Sequence, residues 1–414
     1  MEATRLQQAN VDRVIDVLGA KQAVPSATRV QQQLRTIFGR DVVGLEHIVE
    51  RFDKVARWQR QLEHLKTLPV IEQRSQLWYD TRDRLITASD AGVCLGFGKF
   101  GTPGDVMKKK CSYEDVPFVE APPLKWGTML EDVANQFYEN LTHTKVHEFG
   151  LLPHPTESWF GASPDGINSS GVMLEIKTPY RRRITGEISD QYYYQIQGQL
   201  EVCGLDECDF LEVGLELYGV LGDDPVTGRR QDKGAGNLDH AAQFFTDDTS
   251  PADPRLTCGG AAKGAVLEAG PFETGARYKY LYSPWGAPSP DVLRWVEDTQ
   301  ARQPEYGTLH LWHVEKFNIL RVYRDDAFVA RMMADVGAFW KTVLKAREDR
   351  GLYDAFLASA AGRQQATRAV GRSGGPAASS GGGGGRKPPW NAGSQRRSPA
   401  EQAAVLEVYA FLDD

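Results

Sequence analysis

The stretch SWFGASPDGINSSGVMLEIKTP, residues 158–179, decides the fold. Its first half reads as a strand running into a Pro-Asp-Gly turn, and GVMLEIKTP reads as a second strand. The linking residues Asn168, Ser169, Ser170 and Gly171 form a hairpin turn. Side chains alternate along a strand, so Val172, Leu174 and Ile176 point one way while Met173, Glu175 and Lys177 point the other. Glu175 and Lys177 therefore share a face, and Asp165, at the end of the first strand, meets them across the hairpin. Carboxylate oxygens suit hard divalent ions such as Mg²⁺, which polarise a phosphate and acidify the attacking water. A neighbouring lysine orients that water or stabilises the charge that develops on the phosphate oxygens. Taken singly, each element is ordinary: Pro-Asp-Gly is a common structural turn, and Glu-x-Lys on a strand is a common solvated pair. Their coincidence points to metal-dependent phosphodiester chemistry.

Upstream, WGTMLEDVANQFYENL, residues 126–141, places Leu130, Val133, Ala134, Phe137, Tyr138 and Leu141 at the spacing of an amphipathic helix. Glu131 shares a face with Ala134 and Tyr138, which sets its carboxylate at the edge of the buried stripe. Downstream, SDQYYYQIQGQLEVCG, residues 189–204, predicts a second helix. Ser189 is its cap, Tyr192, Ile196, Leu200 and Cys203 form its buried face, and Gln195, Gln197 and Gln199 are polar members. Asp209 to Leu215 alternates as a further strand. The order helix, strand, strand, helix, strand describes a compact α/β core with its site at one edge of a mixed sheet.

Pro-Asp-Gly, Glu-Ile-Lys ten residues beyond Asp165, Tyr-Gln-Ile-Gln in a helix and Trp-Gly-Thr-Met-Leu-Glu before them resemble the lambda-type phage exonucleases and the YqaJ-type viral recombinases. Trp78–Ser89, WYDTRDRLITAS, looks like that family's opening motif. The resemblance spans about 78–215 and resumes over 308–344. It implies a PD-(D/E)XK, restriction-endonuclease-like core: a mixed sheet flanked by helices. It also implies Mg²⁺, with Mn²⁺ as a substitute and two ions per site, held by Asp165, Glu175, the backbone carbonyl of Ile176 and Glu131. Lys177 would be the catalytic lysine, and Gln197 would position the nucleophile side. Arg82 and Ser89 would receive a terminal 5′-phosphate, with Arg84 as a neighbouring alternative and a helix cap as the other reading of Ser89. Arg181, Arg182 and Arg183 follow the Glu-Ile-Lys strand and are candidate DNA-phosphate contacts, or a solvated charge run. The family degrades one strand of duplex DNA from a 5′ end for a single-strand annealing or recombination partner, and several members form homo-oligomeric rings.

The rest of the chain departs from that compact pattern. Residues 1–75 read as a helical appendage, with apolar positions Val11, Val14, Ile15 and Leu18, a break at Ala23–Pro25, and two further helical runs. The nuclease-like domain is expected over 76–350. It is interrupted over about 217–306 by a Gly-, Asp- and Pro-rich insertion, with short strands around Tyr278–Tyr282. Leu309–Val314 and Ile319–Tyr323 alternate as strands, and Asp325 caps a final helix through Phe328, Met332, Val336, Phe339 and Val343. Residues 361–399 read as a disordered tether, and 400–414 as a short acidic amphipathic tail.

A net charge of −7 excludes a bulk polyanion binder, so DNA contact would come from a local basic groove. The five cysteines, Cys94, Cys111, Cys203, Cys208 and Cys258, make no CxxC pair, which argues against zinc and iron–sulfur centres and for reduced thiols. No apolar run approaches the roughly 20 residues of a membrane span, and MEATRLQQANVDR lacks a secretory h-region. The chain is expected to stay intracellular, in the cytoplasm or nucleus of the host cell if viral. No GxxxxGK[ST] phosphate loop is present. Two other readings remain open: a structure-specific endonuclease of the same fold, and a non-catalytic DNA-end-binding recruiter.

Overall fold

The structure, a computed structural model, describes residues 2–20, 27–99, 101–113, 121–218, 262–272 and 277–360. The expected tether and terminal segment, Cys258 and the Ala23–Pro25 break lie outside the described residues. Helices α1 (Glu2–Ala20), α2 (Ala27–Phe38) and α3 (Leu45–Lys66) form the N-terminal layer. Val11, Val14 and Ile15 of α1 meet Val30 and Leu34 of α2 and Ile48 of α3 in a small core of their own. Farther along α3, Val55, Trp58, Leu62 and Leu65 enter the main core instead. The appendage is thus sealed onto the body of the protein by α3.

Between α3 and the hairpin lie α4 (Gln76–Asp83), β1 (Ile86–Thr87), α5 (Ala88–Cys94), α6 (Pro103–Cys111) and α7 (Pro122–Thr142), then β2 (Val146–His147), β3 (Leu152–Pro153) and β4 (Phe160–Ala162). The hairpin is β5 (Gly166–Asn168) and β6 (Met173–Lys177), followed by α8 (Asp190–Cys203) and β7 (Glu207–Tyr218). Last come β8 (Lys263–Ala269), β9 (Lys279–Tyr282), α9 (Ser289–Arg302), β10 (Thr308–Tyr323) and α10 (Asp326–Glu348). Among the described residues the strands make a seven-stranded mixed sheet, β2-β5-β6-β7-β10-β8-β9, in which β6 and β7 run parallel, and a small sheet, β1-β4-β3. This is the expected mixed sheet flanked by helices.

The main sheet is covered on both faces because its strands alternate. Leu174 and Ile176 of β6 and Leu211, Val213 and Leu215 of β7 pack with the apolar stripe of α7 from Trp126 to Leu141. Met173 of β6 and Cys208 and Phe210 of β7 pack on the other side with Ile196, Leu200 and Cys203 of α8 and Met332, Val336 and Val343 of α10. Each fully buried large apolar side chain contributes about 1.5–3 kcal/mol. Two prolines open α7, where the missing N–H costs nothing, and His143 ends it in a left-handed conformation at φ 51°. Asp325 caps α10 through the Phe328 amide, as the sequence predicts.

Three expectations need correction. The first strand of the decisive stretch is broken: Phe160–Ala162 belongs to the small sheet, and only Gly166–Asn168 pairs with β6. The interval 217–306 holds the expected short strand, β9, but also β8 and α9, which the loop-rich reading left out; β8 and β9 extend the main sheet and α9 covers it. The two strands predicted over 309–323 are one 16-residue strand whose register shifts between Val314 and Lys316. That bulge inverts the alternation, which is why the sequence reads as two pieces.

A buried ion network joins the N-terminal layer to the sheet. Arg321 of β10 reaches Asp16 at 3.0 Å, Glu207 at 2.6 Å and Asp209 at 2.9 Å. Arg51 of α3 pairs with Asp16 at 2.6 Å and Glu207 at 2.5 Å, and Arg13 of α1 with Asp209 at 2.9 Å. All six side chains are buried. Removing one member leaves buried charge uncompensated, so Arg321→Ala should cost about 3–5 kcal/mol of unfolding free energy. Urea titration checks this through the midpoint. A loss of about 1 kcal/mol or less, the worth of an exposed pair, would contradict it.

Candidate active site

The hairpin turn sets the site's register. Asn168 Oδ1 accepts hydrogen bonds from the Ser170 and Val172 amides at 2.9 and 3.1 Å. Gly171 adopts φ +81° where an added Cβ would stand 2.4 Å from the Trp58 Cβ, so only glycine fits. With Gly166 opposite Leu174, Asp165 falls just before the paired residues, and its Oδ2 accepts from the Ile176 amide at 2.7 Å.

Glu175 is fully buried, and both of its oxygens are held. Oε1 accepts from the Lys177 ammonium and from Gln195 Nε2 at 2.6 Å, while Oε2 accepts from Gln199 Nε2 at 2.8 Å. Burial, then the charge of Glu175, pushes the Asp165 carboxyl well above the usual range, against the pull of Lys177. Burial also pushes Glu131 up, opposed by Arg74, whose Nη2 lies 3.2 Å from Glu131 Oε2. Burial works against the Lys177 ammonium, but Glu175 and Asp165 outweigh it and hold the group above the ordinary lysine value. Three carboxylates and one lysine thus meet at one end of the sheet, and the acids repel one another.

This donor set, all hard oxygens under mutual repulsion, fits a divalent cation such as Mg²⁺. Among the described residues, no three His, Cys, Asp or Glu side chains are drawn together into a ready coordination cluster. At Glu175, Lys177 and two glutamine amides take up both carboxylate oxygens. Asp165, Glu131 and Glu175, once released by Lys177, are the side chains that would hold the ion.

A second cluster lies on α4 and α5. Arg82 Nη2 is 3.3 Å from Ser89 Oγ and 3.5 Å from Thr87 Oγ1, and its guanidinium sits 4.2 Å above the Trp78 ring. Thr87, not Ser89, caps α5 in a capping box with Asp90. Ser89 is therefore available to Arg82. Arg84 is the C-cap residue of α4 and is exposed. Buried Lys110 supports the cluster from α6, donating to the Arg82 carbonyl at 2.6 Å and pairing with Asp90 at 3.1 Å. Trp78 Nε1 donates to Ser163 Oγ at 3.2 Å, and the Ser163 carbonyl accepts from Gln199 at 3.3 Å. This chain of bonds connects the Arg82 cluster to Glu175.

Residues 77–206 match the model of the YqaJ-like viral recombinase domain. An uncharacterized protein of Acanthamoeba polyphaga mimivirus is 33% identical over 180 residues, 39% of this chain and 33% of the viral protein. YqaJ of Bacillus subtilis is 28% identical over 149 residues, 34% of this chain and 47% of the bacterial protein. The chain therefore spans less than half the length of either curated relative. Among solved structures, an alkaline exonuclease from Laribacter hongkongensis, LHK-Exo, gives a TM-score of 0.38 at 19% identity, covering 68% of this chain and 100% of that chain. A phage-related exonuclease from Haemophilus somnus gives 0.31 at 10% identity, covering 66% and 96%. No helix among the described residues is long and apolar enough to cross a membrane.

Within residues 77–206 the structure places two of the expected site groups differently. Gln197 faces away from the carboxylates: its amide donates to the Tyr323 carbonyl at 2.8 Å and accepts from the Asp325 amide at 2.9 Å, tying α8 to the start of α10. Gln195 and Gln199, one helical turn apart on the opposite face, grip Glu175 instead. The arginine run is also divided. Arg182 pairs with buried Glu212 at 2.6 Å and acts as an internal counter-ion. Arg181 lies 5.0 Å from the Tyr180 ring, and Arg181 and Arg183 are exposed. The sequence reading passed over Gln195, Gln199, Lys110 and Arg74, although the i, i+4 glutamines were a usable signal.

The raised Asp165 carboxyl predicts a pH dependence. The folded state binds this proton more tightly than the unfolded state, so metal-free stability is fully present below the ordinary aspartate range and falls as pH rises through the raised value. Asp165→Asn keeps an acceptor for the Ile176 amide and removes the charge. Metal-free Asp165→Asn should therefore melt higher than wild type at pH 8, and the two should converge near pH 4. A lower melting temperature for the variant at pH 8 would reverse the assigned sign.

Proposed function

We propose that this chain is a magnesium-dependent deoxyribonuclease that degrades linear duplex DNA from a 5′ end, with Mn²⁺ able to replace Mg²⁺. The observation that carries the reading is the buried Glu175, paired with Lys177 on one strand and set beside Asp165 across a tight hairpin. The similarity of residues 77–206 to a viral recombinase domain supports a role in recombination, and the exonuclease reading rests on the family resemblance of the motifs.

When bound, the cation would polarise the scissile phosphate and acidify the attacking water. Gln195 and Gln199 hold the Glu175 carboxylate in one orientation, and the Ile176 amide does the same for Asp165. Lys177, exchanged from Glu175 to the substrate, would hold the negative charge that develops on the phosphate oxygens. The Arg82 cluster offers a planar fork and two hydroxyls, a fit for a terminal 5′-phosphate, and Trp78 stacks on the fork to keep it there. A single-strand annealing or recombination protein would be the partner that takes the exposed strand.

Linear duplex carrying a 5′-phosphate on one strand, digested with Mg²⁺ or with EDTA, tests this directly. Wild type should consume the phosphorylated strand only with the metal, and Lys177→Ala should lower the rate by about 10²–10³-fold. Cutting of a covalently closed circle would favour an endonuclease of the same fold, and retained DNA binding with no cutting in any metal would leave an end-binding role. Arg82→Ala should erase the preference for 5′-phosphate over 5′-hydroxyl ends while leaving residual cutting. An unchanged preference would remove the pocket from the account.

A further inference from the structure

Residues 67–75 form a strap between α3 and α4, ahead of the segment that matches the recombinase domain. The Leu151 amide donates to the Ile71 carbonyl at 2.9 Å, and Gln73 Nε2 donates to the Phe149 carbonyl at 3.0 Å. Gly150 is required at this seat, because a Cβ there would stand 1.8 Å from the Ile71 oxygen. Ser75 closes the strap by donating to the Glu72 carbonyl at 2.7 Å and capping α4 through the Trp78 amide. Arg74 stands between these anchors at φ +65°, a left-handed conformation that a long side chain rarely adopts. The strap holds it there against that preference, and observed strain of this kind motivates a functional hypothesis.

The position brings Arg74 to the site. Its Nη2 lies 3.2 Å from Glu131 Oε2 while the side chain remains 41% exposed. Its charge also bears on Asp132 and Glu148. A guanidinium carries five N–H donors in a planar fork, and Glu131 takes one of them. The fork can span a carboxylate and a phosphate together.

We propose that Arg74 is a further substrate-binding residue, bridging Glu131 and a DNA backbone phosphate beside the scissile bond, so that the segment between α3 and α4 supplies part of the site. This rests on the nuclease reading for the identity of the substrate. It gives the strap a second task besides linking two helices: seated on Phe149 and Leu151, it delivers the arginine.

The test uses full-length Arg74→Gly and Arg74→Lys beside wild type, with two readouts on a 5′-phosphorylated duplex. Binding is measured by fluorescence anisotropy in EDTA across a range of KCl concentrations, and cleavage is measured with Mg²⁺. Arg74→Gly should bind about tenfold more weakly, as expected for a lost charge-assisted hydrogen bond. The slope of log affinity on log salt should fall by about 1. Its KM should rise, and its melting temperature should not drop, because glycine adopts φ +65° freely. Arg74→Lys should keep the salt slope while losing the fork and part of the affinity. Wild-type affinity and salt slope in Arg74→Gly would overturn the proposal, as would a lowered melting temperature with unchanged affinity. Wild type that binds but never cuts would sink the nuclease reading alone, since the binding arm still reads Arg74.

Discussion

Three arginines and three carboxylates buried between the N-terminal helices and the central sheet form the constraint on which the rest depends. Taking six charges out of water is costly, and their attraction offsets that cost only while every partner stays in place. Asp209 shows how the network propagates. It accepts from Arg13 and Arg321 and also from the Tyr138 hydroxyl at 2.9 Å, and Asn168 donates to that same hydroxyl at 3.0 Å. Asn168 in turn closes the hairpin that brings the Asp165 carboxylate to the Ile176 amide. A line of polar contacts therefore runs from α1 through β7 and α7 to the site, which makes the N-terminal layer part of the scaffold.

The site differs from this network in one respect. The buried network balances its charges, whereas the acids around Asp165 and Glu131 outnumber the cations that face them. Lys177 and the two glutamines satisfy Glu175, while burial, and then the neighbouring acids, make the remaining carboxyls hold their protons more tightly. Such an arrangement sacrifices stability for readiness, the usual trade at a functional centre. It also gives Lys177 two successive partners, Glu175 in the structure described here and substrate in the proposed reaction.

Much of this was legible in the sequence because it is local. Period-two alternation put Glu175 and Lys177 on one face, Asn168–Gly171 declared the turn, and the α7 and α10 stripes followed helical spacing. What escaped depends on packing at a distance. Choosing among Gln195, Gln197 and Gln199 requires knowing which side of α8 the sheet occupies. Arg74 is remote in sequence from Glu131, and nothing around it advertises a left-handed residue. Arg182 reads as a free phosphate contact until the buried Glu212 beneath it is seen. The bulge between Val314 and Lys316 inverts the strand pattern, and the composition of 217–306 conceals β8 and α9.

Asp165 and Glu175, with the Lys177 ammonium against Glu175, are the proposed divalent-cation ligands. Calorimetric titration of metal-free protein with Mn²⁺ at neutral pH tests that assignment most directly. Wild type should show saturable binding, Asp165→Asn and Glu175→Gln should lose it, and Lys177→Met should bind more tightly, because the neighbouring positive charge is gone. Equal binding by wild type and the two carboxylate variants, or none by any of them, would contradict it.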